Sequence, residues 1–199
     1  MEMQISCSTE APAFDESTFE FGTTPFYFLR HGETYESREG IVQGQTDTEL
    51  TLAGRRLVES AAEALSSLSL RSIYASPLKR AWRTAAIIAV YTKVPVYGLP
   101  GLMERDWGDF EGRPAAHRPS ISDPATVEPQ EDFTQRVLTA MEAIKGPLPI
   151  LVVAHSGVFR AICELVGLRA DGRTTVGTGQ VLRMEPPAGR REAWSIIEI

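Results

Sequence analysis

Apolar and polar positions divide the chain into alternating blocks. The first apolar block is Phe26-Tyr27-Phe28-Leu29, an unbroken run with no polar residue in it. Short continuous runs of this kind, rich in aromatic residues, read as strands buried on both faces. A strand is therefore predicted over residues 25–30, ending in Arg30-His31-Gly32-Glu33-Thr34, where the glycine lets the backbone turn tightly. Residues 35–50 carry no usable period and read as a loop. From Thr51 the pattern changes. Leu52, Leu57, Val58, Ala61, Ala62, Leu65 and Leu68 form one stripe at helical spacing, so a helix is predicted with Thr51 as its N-cap.

The alternation continues to the end of the sequence. Ser72–Ala75 reads as a second strand, and Ser76-Pro77 has the form of a helix start, with a capping hydroxyl and proline at the first helical position. That helix should run to Tyr91 and bury Ala81, Thr84, Ala85 and Ile88. Val94–Tyr97 is a third strand, Leu99–Gly112 a loop, and 113–130 an irregular stretch broken by Pro114, Pro119, Pro124 and Pro129. A helix over Glu131–Lys145 should end at Gly146-Pro147. Ile150–Ala154 is a β-branched strand running into His155-Ser156-Gly157, followed by a helix over Val158–Val166. Two closing strands are expected at Gln180–Met184 and Trp194–Ile199. Strands alternating with helices imply an α/β fold: a three-layer α/β/α arrangement with a mostly parallel, doubly wound sheet and an antiparallel edge strand from the closing hairpin.

Composition narrows the function classes. The 199 residues suit one domain, expected over residues 23–199 and preceded by a polar, acidic leader over residues 1–22. Such a leader should be mobile or loosely docked, with Phe14, Phe19 and Phe21 available to pin it. The formal net charge is -6, and no long basic run occurs, so nucleic acid is not an expected partner. No apolar run approaches membrane-spanning length and the first ten residues lack the layout of a signal peptide, so no membrane partner and a cytoplasmic location are expected. Cys7 and Cys163 make neither a disulfide framework nor a zinc pattern, and Cys163 reads as a small core residue. An acidic protein that binds an anion must gather its arginines locally.

Four segments do this, each at a strand end, a helix start or a loop. They are Arg30-His31-Gly32-Glu33-Thr34, the Ser76–Ala85 stretch with Arg80 in a first helical turn, the acid-rich loop Glu104–Gly112, and Val153–Arg160 with its second histidine, His155. Helix N-termini favour anions, and a guanidinium grips phosphate oxygens in a fork. Two histidines, two arginines and a carboxylate suffice for phosphoryl transfer: a neutral imidazole attacks, arginines neutralise the equatorial oxygens, and a carboxylic acid protonates the departing alkoxide. Asp106, Asp109 and Glu111 are rivals of Glu104 for the last role. Arg83, Arg105 and Arg160 read as surface or supporting residues, and His117 as exposed.

In these segments the chain resembles the histidine phosphatase superfamily, in its phosphoglycerate-mutase-like branch. The resemblance covers residues 25–199 with the motifs in order, and Asp47–Gly54 matches the family's Leu-Thr-x-x-Gly start of the first helix. It implies that His31 becomes phosphorylated, that Arg30, Arg80 and His155 form the phosphate pocket, and that Glu104 is the proton donor. It also implies that Gln43 and Gly44 line the pocket. Ser37 stands where the family often has asparagine, and Ser156 separates His155 from the glycine that often follows it directly; both are counted among the substrate-binding residues. The implied activity is a phosphomonoesterase acting on a small phosphorylated metabolite, with no metal and no cofactor. The alternatives are mutase-type transfer and a silent phosphate-binding module. The short span between Glu104 and His155 and the Glu104-x-x-x-Gly108-x-x-Glu111-Gly112 pattern favour the phosphatase. Tyr35, Gln43 and residues 105–130 should set specificity.

Overall fold

The computed structural model describes residues 18–117, 125–168, 175–189 and 193–199. Six strands, β1 (Phe26–Arg30), β2 (Ser72–Ala75), β3 (Val96–Gly98), β4 (Ile150–Ala154), β5 (Val181–Glu185) and β6 (Ser195–Glu198), form one sheet in the order β3-β2-β4-β1-β5-β6. The first four run parallel, β5 is antiparallel to β1, and β6 is antiparallel to β5. The expected antiparallel edge is therefore two strands deep, because β5 pairs with β1 before the hairpin adds β6 outside it.

The apolar runs are explained by burial on both faces. On one face Tyr27, Leu29, Ile73, Ala75, Leu151 and Val153 meet helices α2 (Leu52–Ser66) and α3 (Lys79–Thr92). On the other, Phe26, Phe28, Tyr74, Ile150, Val152 and Ala154 meet α4 (Gln130–Glu142) and α5 (Ser156–Leu165). Successive residues of a strand point to opposite sides, so a strand with helices on both faces needs an apolar residue at every position. Of the N-terminal leader, Phe19 is 1% exposed and packs edge-on against Phe26 with ring centroids 5.7 Å apart. Phe14 lies outside the described residues.

Several boundaries differ from expectation. The stretch read as a loop opens with a short helix, α1 (Tyr35–Arg38), held by a reciprocal cap between Thr34 and Ser37. Strand β3 begins two residues later than its apolar pattern suggested, at Val96, and α4 ends at Glu142 with Ala143 as its C-cap. Helix α5 starts at Ser156, with His155 as its N-cap residue. Helix α3 starts at Lys79, and its N-cap is Leu78 without a side-chain cap. Ser76 lies two residues before that N-cap; its hydroxyl accepts from Leu78 N at 3.3 Å and also lies 2.8 Å from His155 Nε2.

The sheet fixes the geometry of the site. In register, Ala75 lies opposite Val153 and Arg30 opposite Ala154, so β2, β4 and β1 end side by side. The residues that follow, Ser76, His155 and His31, are brought together at the carboxyl edge of the sheet. The ladder extends to them, with Ser76 N donating to Val153 O and His31 N to Ala154 O, each at 3.0 Å. Helix α2 then braces the turn after β1. Thr51 N donates to Glu33 O at 2.9 Å, and Thr51 caps Gly54 N at 2.9 Å. A Cβ on Gly54 would lie 2.2 Å from Glu33 O, which gives the Leu-Thr-x-x-Gly start its physical reason: only glycine lets the helix backbone approach so closely. Gly54→Ala is expected to destabilise the fold by about 1–3 kcal/mol, the range for overpacking a tight contact. Urea unfolding measures this, and an unchanged midpoint would contradict the close approach.

Candidate active site

His31 is 2% exposed, and its Nδ1 lies 2.8 Å from the carbonyl of Gly32. A carbonyl can only accept, so Nδ1 carries the proton and Nε2 is left with its lone pair. Burial, then the charges of Arg80 and Arg30, hold the imidazole well below the usual histidine range and hence neutral. The turn is fixed from α3 as well: Gly32 N donates to Thr84 Oγ1 at 3.0 Å, and Thr84 Oγ1 donates to Arg80 O at 2.8 Å.

Arg80 occupies the first turn of α3 and is 1% exposed. Its guanidinium donates to Thr46 O at 2.8 Å and Gly44 O at 2.7 Å, while Nε is buried with no partner among the described residues. Burial lowers its pKa to about 10, opposed by nearby acids of which Glu104 is the strongest. The loop supplying those carbonyls is held in turn by Glu111, which accepts from Gln45 N at 2.8 Å, Thr46 N at 2.9 Å and Trp107 N at 3.2 Å. Asp47 accepts from Lys79 N at 2.8 Å, tying the loop to the start of α3. Arg30, at the end of β1, donates to Val176 O at 2.9 Å.

Glu104 arrives from the loop after β3. Its carboxylate accepts from Arg105 N at 2.9 Å and from Gly157 N, in the first turn of α5, at 3.0 Å. A Cβ on Gly157 would lie 1.9 Å from Glu104 Oε1, so only glycine there leaves room for the acid. The backbone carrying Glu104 is clasped by Arg136 of α4, which donates to Gly101 O and Met103 O at 3.0 Å. Arg136 also reaches Glu104 O at 3.4 Å and forms a two-pronged ion pair with Glu128 at 2.9 and 2.8 Å.

His155 is fully buried, with its ring centroid 5.2 Å from that of His31. Burial, then Arg80, His31 and Arg30, hold it well below the usual histidine range. A cavity of about 170 Å³ is lined by Arg30, His31, Arg80 and Glu104, with Ser37, Gln43, Gly44 and Ser156 around them. Gln43 is oriented by Thr34 and Thr48, whose hydroxyls donate to its Oε1 at 3.0 and 2.7 Å.

Eight of the nine predicted site residues thus line one cavity, and the ninth, His155, lies beside His31 without being among the lining residues. Trp107, Ile41 and Ala115 also line the cavity, whereas Asp106, Asp109 and Glu111 are not among its lining residues. Arg105 is buried, stacked 4.7 Å above the Trp107 ring and donating to Glu128 O at 2.7 Å, so it is an internal strut and not a surface residue. Arg83, His117 and Arg160 are exposed. Sequence reasoning missed the parts played by Ser76, Thr84 and the Arg136–Glu128 pair. Thr84 stood in a recognised motif but read as core. Arg136 sits in a helix with no motif around it.

Residues 26–193 match the sequence profile of the histidine phosphatase superfamily (branch 1). The chain belongs to that superfamily. Its relatives include proteins named as mutase-like and proteins named as phosphatases. A phosphoglycerate mutase-like protein of Arabidopsis thaliana is 34% identical over 176 residues, covering 78% of this chain and 75% of the relative. A metal-independent phosphoserine phosphatase of the same plant is 32% identical over 213 residues, covering 96% of this chain and 89% of the relative. In three dimensions the chain is similar to a mycobacterial glucosyl-3-phosphoglycerate phosphatase solved with VO3. The TM-score is 0.69 at 24% identity, with 87% of this chain and 97% of that one covered, a likeness of fold.

Proposed function

We propose that this member of the superfamily is a phosphomonoesterase acting on a small phosphorylated metabolite, and that it works in two steps through phosphohistidine on His31. The observation that carries this reading is the state of His31. Its Nδ1 is tied to Gly32 O, which leaves a neutral Nε2 lone pair in a cavity shared with Arg30, Arg80 and Glu104. In the first step Nε2 attacks phosphorus, the bond to the leaving oxygen breaks, and Glu104 delivers a proton to that oxygen. In the second step Glu104 takes a proton from water, the water oxygen attacks phosphorus, and the N–P bond breaks to give inorganic phosphate. Arg30, Arg80 and His155 stabilise the charge on the equatorial oxygens, and Ser37, Gln43, Gly44 and Ser156 complete the contacts.

Among the described residues no three His, Cys, Asp or Glu side chains gather as a metal site would need. The charge neutralisation a metal would supply is provided by guanidinium groups, and a relative of this chain is named as a metal-independent phosphatase. Purified protein should therefore release phosphate from p-nitrophenyl phosphate and 2-glycerophosphate in excess EDTA, with an acid-labile phosphoryl label on the chain during turnover. Activity abolished by EDTA and restored by magnesium would overturn the mechanism. The mutase-like relative keeps a second reading in view, in which the phosphoryl group passes to another hydroxyl. The same assay separates the two, since transfer yields a new phosphate ester and little inorganic phosphate. Binding without turnover would mark a silent phosphate-binding module.

A further inference from the structure

Ser76 was expected to cap a helix, and its hydroxyl also faces His155. Leu78 N donates to Ser76 Oγ at 3.3 Å, so there the hydroxyl oxygen accepts. Among the described residues the other hydrogen-bond partner of that oxygen is His155 Nε2 at 2.8 Å, and Ser76 is fully buried. A buried hydroxyl has one proton to place, and the contact with Nε2 is where it can go. Ser76 then donates to Nε2, which holds a lone pair. A neutral imidazole carries a single N–H, so the proton resides on Nδ1. That Nδ1 is buried and makes no hydrogen bond among the described residues. It belongs to a ring lying beside His31 and close to the charges of Arg80 and Arg30. A donor left unpaired in such surroundings matches the need of an incoming anion.

We infer that Ser76 is a positioning residue that sets the tautomer of His155, keeping Nδ1–H as a donor to the phosphoryl oxygens. The two histidines then hold the same tautomer for different ends. His31 spends its Nδ1–H on Gly32 O to release Nε2 for attack, whereas His155 has its Nε2 occupied by Ser76 so that Nδ1–H is free to donate. The part of this inference that concerns the phosphoryl group rests on the proposed function; the tautomer itself does not.

Two-bond ¹H–¹⁵N correlation spectra of the intact protein read the tautomers directly. A pyrrole-type Nδ1 and a pyridine-type Nε2 are expected for His155. Inorganic phosphate should shift the Nδ1–H resonance as the anion binds. In Ser76→Ala the tautomer should change or become mixed, and turnover should fall roughly 10- to 100-fold, as for loss of one hydrogen bond to a charged group. Ser76→Thr, which keeps the hydroxyl, should restore both. An Nε2–H tautomer in the unmodified protein, or an unchanged His155 spectrum in Ser76→Ala, overturns the assignment. An Nδ1–H that ignores phosphate overturns its role as donor. Because the unmodified protein's spectrum can decide alone, an unfolded variant leaves the test intact. Failure of His31 to take up a phosphoryl group would sink the proposed function without altering these spectra.

Discussion

A His31→Ala variant should take up no phosphoryl label and lose turnover by about 10⁴–10⁶-fold, the scale seen when a nucleophile is removed from a site that otherwise still binds. In the proposed mechanism the variant removes the lone pair that attacks phosphorus. His155 is a poor substitute, since its Nε2 is engaged by Ser76. Phosphate binding should survive, because Arg30, Arg80 and His155 remain. Phosphate-dependent thermal stabilisation measured in parallel separates loss of chemistry from loss of the pocket. A fully active variant would end the phosphohistidine reading.

Glu104→Gln should produce a loss that depends on the leaving group. The amide keeps the size of the side chain and one oxygen to accept from Gly157 N or Arg105 N, but it has no proton to give. For an alkyl phosphate such as 2-glycerophosphate, whose leaving alkoxide needs that proton, the cost should be roughly 10²–10⁴ in rate. For p-nitrophenyl phosphate, whose leaving group departs as a stable anion, it should be much smaller. Equal losses on both substrates would argue against Glu104 as the acid and move the role to another carboxylate of the 104–112 loop.

Much of this was legible in the sequence because the site hangs on regular structure. The central strands show as apolar runs since both their faces are covered, and their ends place His31 and His155 without information from any loop. The residues that escaped notice act through backbone. Arg136 grips three carbonyls of the Gly101–Glu104 segment, and a carbonyl leaves no mark on residue identity. Ser76 misled for a related reason. Serine followed by proline is the signature of a helix start, and nothing local marks that its hydroxyl also meets His155, remote in sequence. The short helix after Thr34 was missed because four residues are too few to show a period.

The clasp around Glu104 also bears on how such chains can diverge. Asp106 and Glu128 are joined twice, by Glu128 N donating to Asp106 O at 2.9 Å and by Asp106 N donating to the Glu128 carboxylate at 3.1 Å. Whatever runs between them leaves from and returns to one staple. Insertions and deletions inside such a closed excursion change its loop entropy only slowly with length and do not propagate to the flanking residues. The acid can therefore keep its register while the chain beyond Ala115 and before Val127 is lengthened, shortened or exchanged, provided Glu111 stays to hold the backbone of Gln45 and Thr46. Under the proposed mechanism, descendants of one scaffold could trade this excursion without re-evolving the part that breaks the bond.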